Sequence, residues 1–126
     1  MSRLVDASTV LAVILGEKGS SEAALLLHGA QISTVNHSEV LRKLVDVGME
    51  IGLAQIEFAR FEITQVDFDE VQSIEAARLR PLTSHLGMSF ADRACLALAS
   101  LRKIPVYTAD RKWAEFDTDI DIRLIR

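Results

Sequence analysis

Short apolar runs alternate along this chain with stretches in which apolar residues recur every three or four positions. Leu4 and Val5 form one such run, which ends at Asp6 and is typical of a short strand. The segment 40–45 has the second spacing, which favours a helix with one buried side. In chain order we predict a strand at 4–5, a helix from Asp6 to near Gly16, a helix from Gly19 to Gly29, a strand at 31–33, a helix starting at 34–36 and ending at Gly48, a helix at 49–58, a strand at 62–66, a helix from 67–69 to about Leu79, a helix at 90–101, a strand at 105–107, a helical turn at 111–116 and a strand at 122–125.

This alternation of strands and helices indicates an α/β fold. Strands joined through helices run parallel, and helices then cover both faces of the sheet. Right-handed crossovers restrict the strand order to a few doubly wound arrangements, of which we favour 3-2-1-4-5 with the first strand central. We expect residues 1–126 to form a single domain, since this length is close to the commonest domain size.

Composition narrows the class of protein. Hydrophobic residues make up 49% of the chain, which is enough for a buried core, and 14 basic against 18 acidic residues give a net charge of −4. That charge argues against broad electrostatic binding to nucleic acid, although an acidic metal site would lower it without excluding a phosphate substrate. The chain shows no secretion signal and no apolar run of about 18 residues, and its lone Cys95 lies among apolar residues. We therefore expect a cytoplasmic protein without a membrane segment.

Four acidic residues stand where a predicted strand ends or the next helix begins. They are Asp6 after the first strand, Glu39 early in the helix after the second strand, Asp92 in the first turn of the helix 90–101, and Asp110 just after the strand 105–107. All strand-to-helix junctions of a parallel sheet lie on one edge, so we expect these carboxylates to converge. Clustered carboxylates repel one another, and an all-oxygen ligand set suits Mg²⁺ or Mn²⁺. Hydrolysis of a phosphodiester is the chemistry that such a site performs.

Each acid also has a purely structural explanation. Asp6 and Asp110 could be no more than helix caps. Glu39 stands four residues before Lys43, which is the spacing of an ordinary ion pair on a helix. Asp92 stands three residues after Ser89, which is the spacing of a capping box.

Other polar residues near these acids have less definite roles. Asn36 could cap a helix or support Glu39, and Ser8 and Thr108, each two residues from an acid, could cap helices or orient carboxylates. Basic residues near the acids could contact the phosphates of a substrate or simply be solvated; they are Arg42, Lys43, Arg93, Arg111 and Lys112. Large apolar residues around the fourth helix suggest a dimer interface or a groove that binds another protein; they are Leu53, Ile56, Phe58 and Phe61.

Four segments resemble the successive motifs of PIN-domain ribonucleases, above all the VapC toxins of type II toxin–antitoxin modules. They are Val5-Asp-Ala-Ser-Thr-Val10, Ser33-Thr-Val-Asn-His-Ser-Glu39, Gly87-Met-Ser-Phe-Ala-Asp-Arg-Ala-Cys-Leu-Ala-Leu-Ala99 and Val106-Tyr-Thr-Ala-Asp-Arg-Lys-Trp113. The resemblance covers nearly the whole chain and implies a PIN-like fold. It implies a metal-dependent endoribonuclease that uses Mg²⁺, with Mn²⁺ able to substitute. Catalysis and metal binding would then fall to Asp6, Glu39, Asp92 and Asp110.

The resemblance carries further expectations about partners. It implies an RNA substrate, a homodimer and inhibition by a VapB-type antitoxin. Ala91 replaces the glycine that many relatives have before the third acid, and Asp117 is the candidate for the further acid that some relatives carry. Neither departure removes a core acid, so we expect activity.

Three alternatives compete with this interpretation. A catalytically inactive PIN scaffold that only binds partners would keep the fold without the chemistry. A phosphatase of the haloacid-dehalogenase type would need a second acid at the position of Ser8. A receiver-like signalling domain would need paired acids at the first strand and a phosphorylatable Asp after a central strand, and we find neither.

Overall fold

A five-stranded parallel sheet forms the centre of the computed structural model, which describes residues 2–126. Its strands are β1 (Leu4–Val5), β2 (Gln31–Ser33), β3 (Thr64–Val66), β4 (Val106–Thr108) and β5 (Ile122–Leu124). They lie in the order β3-β2-β1-β4-β5, and every neighbouring pair is parallel. The predicted order 3-2-1-4-5 is therefore confirmed. Leu4 pairs with Gln31 on one side and with Val106 on the other, which puts β1 at the centre.

Helices connect the strands and cover the sheet. They are α1 (Ala7–Ile14), α2 (Ser20–Leu27), α3 (Thr34–Asp46), α4 (Ile51–Ala59), α5 (Glu70–Arg78), α6 (Arg80–Thr83) and α7 (Phe90–Arg102), with 3₁₀ turns at Ser84–Leu86 and Arg111–Glu115. The predicted strand at 62–66 begins only at Thr64, because Glu62 has a left-handed backbone with φ of 53° that ends the preceding turn. Just beyond the predicted end near Leu79, Pro81 lies in the first turn of the short helix α6, where proline's missing N–H costs nothing.

Two apolar clusters lie on opposite faces of the sheet. Leu4 belongs to one, with Leu96 of α7 and Trp113, and the adjacent Val5 belongs to the other, with Val40 of α3. Successive side chains of a strand point to opposite faces, so one residue of β1 packs in each cluster. Both are fully buried, which fixes β1 between two layers of helices.

Each of the three inner strands, β1, β2 and β4, is followed within three residues by a helix or a 3₁₀ turn. The residues that cap these helical segments therefore lie at one edge of the sheet. Asp6 directly follows β1 and caps α1. Ser33 is the last residue of β2 and caps α3. Asp110 follows β4 by one residue and caps the 3₁₀ turn. Because parallel strands end on the same edge, Asp6 and Asp110 lie at that edge, and Ser33 begins the helix that carries Glu39. The helix α7, which carries Asp92, follows a 3₁₀ turn instead of a strand.

The apolar residues around α4 divide into buried and exposed groups. Leu53 and Ile56 are 48% and 61% exposed, as an interface would require. The expectation was wrong for Phe58, which is only 3% exposed and belongs to the core, and Phe61 packs against the same core. Helical spacing alone did not reveal which side of α4 faces the sheet. Within residues 2–126, no helix combines the length and apolar character needed to cross a membrane.

Candidate active site

All four predicted acids line one cavity of about 250 Å³ at the carboxyl ends of the strands. The residues around it are Asp6, Ala7, Ser8, Leu11, Leu15, Glu17, Glu39, Lys43, Asp92 and Asp110. Four other cavities, of about 440, 490, 310 and 300 Å³, are larger, but none of them is lined by any of the four acids. Chemistry rather than size therefore identifies the candidate site.

Asp6 is buried at the centre of the site and held by hydrogen bonds on both carboxylate oxygens. Its Oδ1 accepts from the Thr9 backbone amide at 2.9 Å and from the Ser8 hydroxyl at 2.8 Å. Its Oδ2 accepts from the Thr108 hydroxyl at 2.6 Å. Burial raises the pKa of Asp6, and these hydrogen bonds oppose that rise, that of Thr108 most. Asp6 caps α1 as the structural explanation required, yet it also faces the shared cavity.

Two hydroxyl groups extend this network to the fourth acid. Thr108 donates to Asp6 and accepts from the Asp110 backbone amide at 3.0 Å. Ser8 donates to Asp6 and accepts from the Ala109 amide at 2.9 Å. These bonds join the start of α1 to the end of β4, so both hydroxyls orient the carboxylate of Asp6.

Asp92 forms the capping box that its spacing predicted. Its Oδ2 accepts from the Ser89 amide at 2.9 Å, and the Ser89 hydroxyl accepts from the Asp92 amide at 3.2 Å. Its Oδ1 accepts no hydrogen bond within residues 2–126. Burial raises the pKa of Asp92, the bonds to Ser89 lower it, and the nearby charge of Asp110 adds to the rise. Asp92 is thus both a cap and an acid of the cavity.

Glu39 has no ion pair with Lys43 within the described residues, so its simplest structural explanation is not met. Burial raises the pKa of Glu39, and the negative charges of Asp92 and Asp6 raise it further. Lys43 lines the same cavity, four residues along α3. The negative charges of Asp92 and Asp6 therefore act on the Glu39 carboxylate. Lys43 places a positive charge at the same cavity.

Asp110 caps the 3₁₀ turn that follows it. Its Oδ1 accepts from the Lys112 amide at 3.0 Å, and its Oδ2 lies 4.0 Å from the Lys112 ammonium. Asp117 is exposed and lies by a separate cavity beside Arg78 and Ser100, so it does not join the four acids. The position of Asp117 therefore does not support the prediction that it is a further acid of the site.

Asn36 has a different role from either of the two predicted for it. Its Oδ1 accepts from the Ala7 amide at 3.2 Å, and its Nδ2 donates to the Ala91 carbonyl at 3.1 Å. Ser33 rather than Asn36 caps α3. The buried amide of Asn36 thus joins the first turns of α1 and α7.

Sequence reasoning missed Glu17, which lines the cavity beyond the end of α1. Its Oε1 lies 3.6 Å from a guanidinium nitrogen of Arg126. Glu17 follows no strand, so a search for acids at strand ends could not find it. The apolar stripe of α1, at four-residue spacing from Ala7, points into the same cavity and was the one available signal.

The donor set of this cavity fits a divalent cation. Four carboxylates from four elements share it, and the negative charges of Asp92 and Asp6 help to raise the pKa of Glu39, a repulsion that a bound cation would relieve. No three His, Cys, Asp or Glu side chains within residues 2–126 already form a metal-binding cluster. The oxygen chemistry therefore suits Mg²⁺ or Mn²⁺, with the carboxylates spread around the cavity rather than gathered at one point.

Comparison with known proteins identifies the family. The profile of the PIN domain matches residues 3–119. This chain belongs to the PIN-domain family. A search of curated proteins found no match to the chain.

Solved structures have the same fold as this PIN domain. VapBC2 from Rickettsia felis, bound to a DNA fragment from the promoter, aligns with a TM-score of 0.77 at 14% identity over 98% of both chains. DNA-bound VapBC from Salmonella typhimurium aligns with a TM-score of 0.76 at 15% identity, covering 100% of this chain and 99% of the other. VapC20 from Mycobacterium tuberculosis, described as a toxin that cleaves the sarcin-ricin loop, aligns with a TM-score of 0.74 at 16% identity over 94% and 98%. At these identities the likeness establishes the fold alone.

Proposed function

We propose that this PIN domain is a metal-dependent endoribonuclease that acts as the toxin of a type II toxin–antitoxin module. One observation carries the proposal: carboxylates from four separate elements line a single cavity at the carboxyl ends of the strands. Ligands of open parallel sheets bind at that edge. No core packing requirement explains why acids from four elements share a cavity, whereas metal-assisted hydrolysis of a phosphodiester uses carboxylates grouped in this way.

The relatives support the choice of RNA as substrate. VapC20 has the same fold and is described as cleaving the sarcin-ricin loop. The four motifs of this chain resemble VapC toxins and place their acids on this cavity. We therefore extend RNA cleavage to this chain as a proposal, without assigning the RNA that it cuts.

In the proposed reaction, Asp6, Glu39, Asp92 and Asp110 would hold Mg²⁺, and Mn²⁺ would substitute. When bound, the cation supplies Lewis-acid polarisation of a phosphoryl oxygen and lowers the pKa of water. Asp6 is the most rigid of the four, because donors from Ser8, Thr9 and Thr108 fix its carboxylate. Cleavage by water would give products with 5′-phosphate and 3′-hydroxyl ends.

Among the basic candidates, Lys43 is best placed to contact the RNA backbone, because it is the one that lines the cavity. Arg42 pairs with Asp46 at 2.9 Å, and Arg93 donates to the Ala76 carbonyl at 3.2 Å. An ammonium at the edge of the acidic cavity would attract a phosphate and hold it against the carboxylates. We assign Lys43 that positioning role.

The proposal also includes partners. The similar structures from Rickettsia and Salmonella are VapBC complexes, which supports a VapB-type antitoxin as the partner of this chain. We propose a homodimer in the cytoplasm, and the exposed side chains of Leu53 and Ile56 on α4 are available for an interface.

Incubation of the purified protein with single-stranded RNA tests the proposed chemistry. We expect cleavage with Mg²⁺ or Mn²⁺, none with EDTA, and recovery when the metal is restored. End-labelling of the products should reveal 5′-phosphate and 3′-hydroxyl termini. RNA binding without cleavage in every metal would favour the inactive scaffold, and cleavage that persists in EDTA would exclude the metal-dependent mechanism.

A further inference from the structure

We propose that Asn36 is a positioning residue that sets the distance between the carboxylates of Asp6 and Asp92. This inference rests on the proposed function, because it assigns Asn36 to the geometry of that site. Its amide joins the residue that follows Asp6 to the residue that precedes Asp92, through Ala7 and Ala91.

The contacts of Asn36 use both ends of a buried amide. The side chain is 2% exposed, and its Oδ1 accepts from the Ala7 N–H at 3.2 Å. Helical bonds cannot serve the first N–H groups of a helix, so this acceptor satisfies one of them at the start of α1. Its Nδ2 donates to the Ala91 carbonyl in the first turn of α7 at 3.1 Å. One side chain of α3 therefore holds together the starts of two other helices.

Glu39 lies on the same helix as Asn36, three residues later, which is nearly one helical turn. The amide thus connects three helix starts, and each of them carries one of the acids of the cavity. A shift of Asn36 would move the acids of α1 and α7 relative to that of α3.

Within residues 2–126, no hydrogen bond of the Asp6 or Asp92 carboxylate joins α1 to α7. Asp6 is bonded by α1 and by the end of β4, and Asp92 is bonded by Ser89 just before its own helix. Among the hydrogen bonds of residues 2–126, only those of Asn36 link α1 to α7 by a side chain. Removal of this amide would leave Asp6 and Asp92 individually held, but their separation would then depend on the packing of α1 and α7 against α3 without a hydrogen-bonded link.

A residue that merely stabilises the fold would also be buried and hydrogen-bonded, so stability alone does not test the role. Gln72 on α5 provides a control of similar burial, in which only the nitrogen end of the amide is hydrogen-bonded within residues 2–126. It is 5% exposed, and its Nε2 donates to the Asp67 carbonyl at 2.9 Å, but it does not line the cavity. Both Asn36→Ala and Gln72→Ala remove a buried amide, and only the first removes the link between α1 and α7.

Calorimetric titration of the full chain with Mn²⁺ alone, together with thermal melts, distinguishes the two roles. Both variants should melt at a lower temperature than wild type. We expect Asn36→Ala to bind Mn²⁺ about 10- to 100-fold more weakly, as is usual when a side chain supporting metal ligands is removed. Gln72→Ala should bind as wild type does. Equal Mn²⁺ affinity of the two variants and wild type would overturn the positioning role.

Two further measurements test the positioning role if the alanine variant does not fold or if wild type binds no Mn²⁺. If the alanine variant does not fold, Asn36→Ser replaces it, because serine retains a donor and an acceptor on a shorter side chain. The Mn²⁺ affinity of this variant should still fall below that of wild type. An unchanged affinity would contradict the proposal. If wild type binds no Mn²⁺, the proposed function fails, and amide hydrogen exchange decides the positioning role by itself. The first turns of α1 and α7 should exchange faster in Asn36→Ala but not in Gln72→Ala, and unchanged exchange would overturn the role.

Discussion

The hydroxyl of Thr108 donates a 2.6 Å hydrogen bond to Oδ2 of Asp6, and the two residues are 102 positions apart in the sequence. The bond crosses from the end of β4 to the end of β1, which are neighbouring central strands of the sheet. It fixes the most buried of the four acids and opposes the rise that burial causes in the pKa of Asp6. This one hydrogen bond therefore joins two central strands and also orients a carboxylate of the candidate site.

Substitution Thr108→Val should lower stability, because it leaves both Asp6 and the Asp110 amide without this partner. Hydrogen bonds to charged groups contribute about 1.5–3 kcal/mol, so we expect a loss of that order in the free energy of unfolding. Thr108→Ser keeps the hydroxyl and should lose less. Urea denaturation of the three proteins measures the difference, and a loss for the valine variant no greater than that for the serine variant would contradict the role assigned to the hydroxyl.

The two roles of Asp92 can be separated through its capping partner. Asp92→Asn retains an acceptor for the Ser89 amide but removes the charge, and it should abolish RNA cleavage. Ser89→Ala removes the cap on the Asp92 amide and leaves the carboxylate, so it should cost about 1 kcal/mol of stability with cleavage retained. Cleavage rates and melts of both variants provide the comparison. If Ser89→Ala lost cleavage and Asp92→Asn kept it, Asp92 would be only a cap.

Stability without metal should depend on pH in a defined direction. Burial raises the pKa of Asp92 above its ordinary 3.8, so the folded protein binds this proton more tightly than the unfolded chain. Its contribution to stability is therefore fully present below pH 3.8 and is lost as pH rises through the raised value. In EDTA, Asp92→Asn should gain stability relative to wild type as pH rises from about 4 to about 8. Chemical denaturation across that range measures the difference, and a gap that does not change with pH would contradict this assignment.

The exposed apolar residues of α4 should support self-association. Replacing Leu53 and Ile56 together with serine should weaken the proposed homodimer at least about tenfold, equivalent to about 1.4 kcal/mol. Leu25→Ser is the control, because Leu25 is 83% exposed on a different helix, α2. Sedimentation equilibrium measures all three proteins. A double variant that dimerises as tightly as wild type would place the interface elsewhere.

The strand order was predictable because helical segments separate every pair of successive strands and right-handed crossovers leave few topologies. The position of the acids followed from the same rule, since Asp6 and Asp110 stand where strands end. Their hydrogen-bond partners did not follow. Thr108 was noticed only because it stands near Asp110, and nothing local indicated that it bonds to Asp6.

The residues that sequence reasoning missed or misplaced depend on contacts between distant parts of the chain. Asn36 bonds to residues 29 and 55 positions away, so its role as a link could not be derived from its neighbours. Glu17 reaches the cavity from the far end of α1, away from any strand. Phe58 looked like part of a surface because its helix is apolar on more than one side.

RNA cleavage by variants of the individual acids tests the central claim most directly. Asp6→Asn, Asp92→Asn and Asp110→Asn are each compared with wild type in Mg²⁺, and Asp117→Asn is the control, because Asp117 is an exposed acid outside the cavity. The melting transition of each variant confirms that it is folded. We expect each of the three to lose at least about a hundredfold in cleavage rate, equivalent to about 2.7 kcal/mol of barrier, while Asp117→Asn keeps wild-type activity. Near-normal cleavage by two of the three folded variants would contradict the assignment of the site.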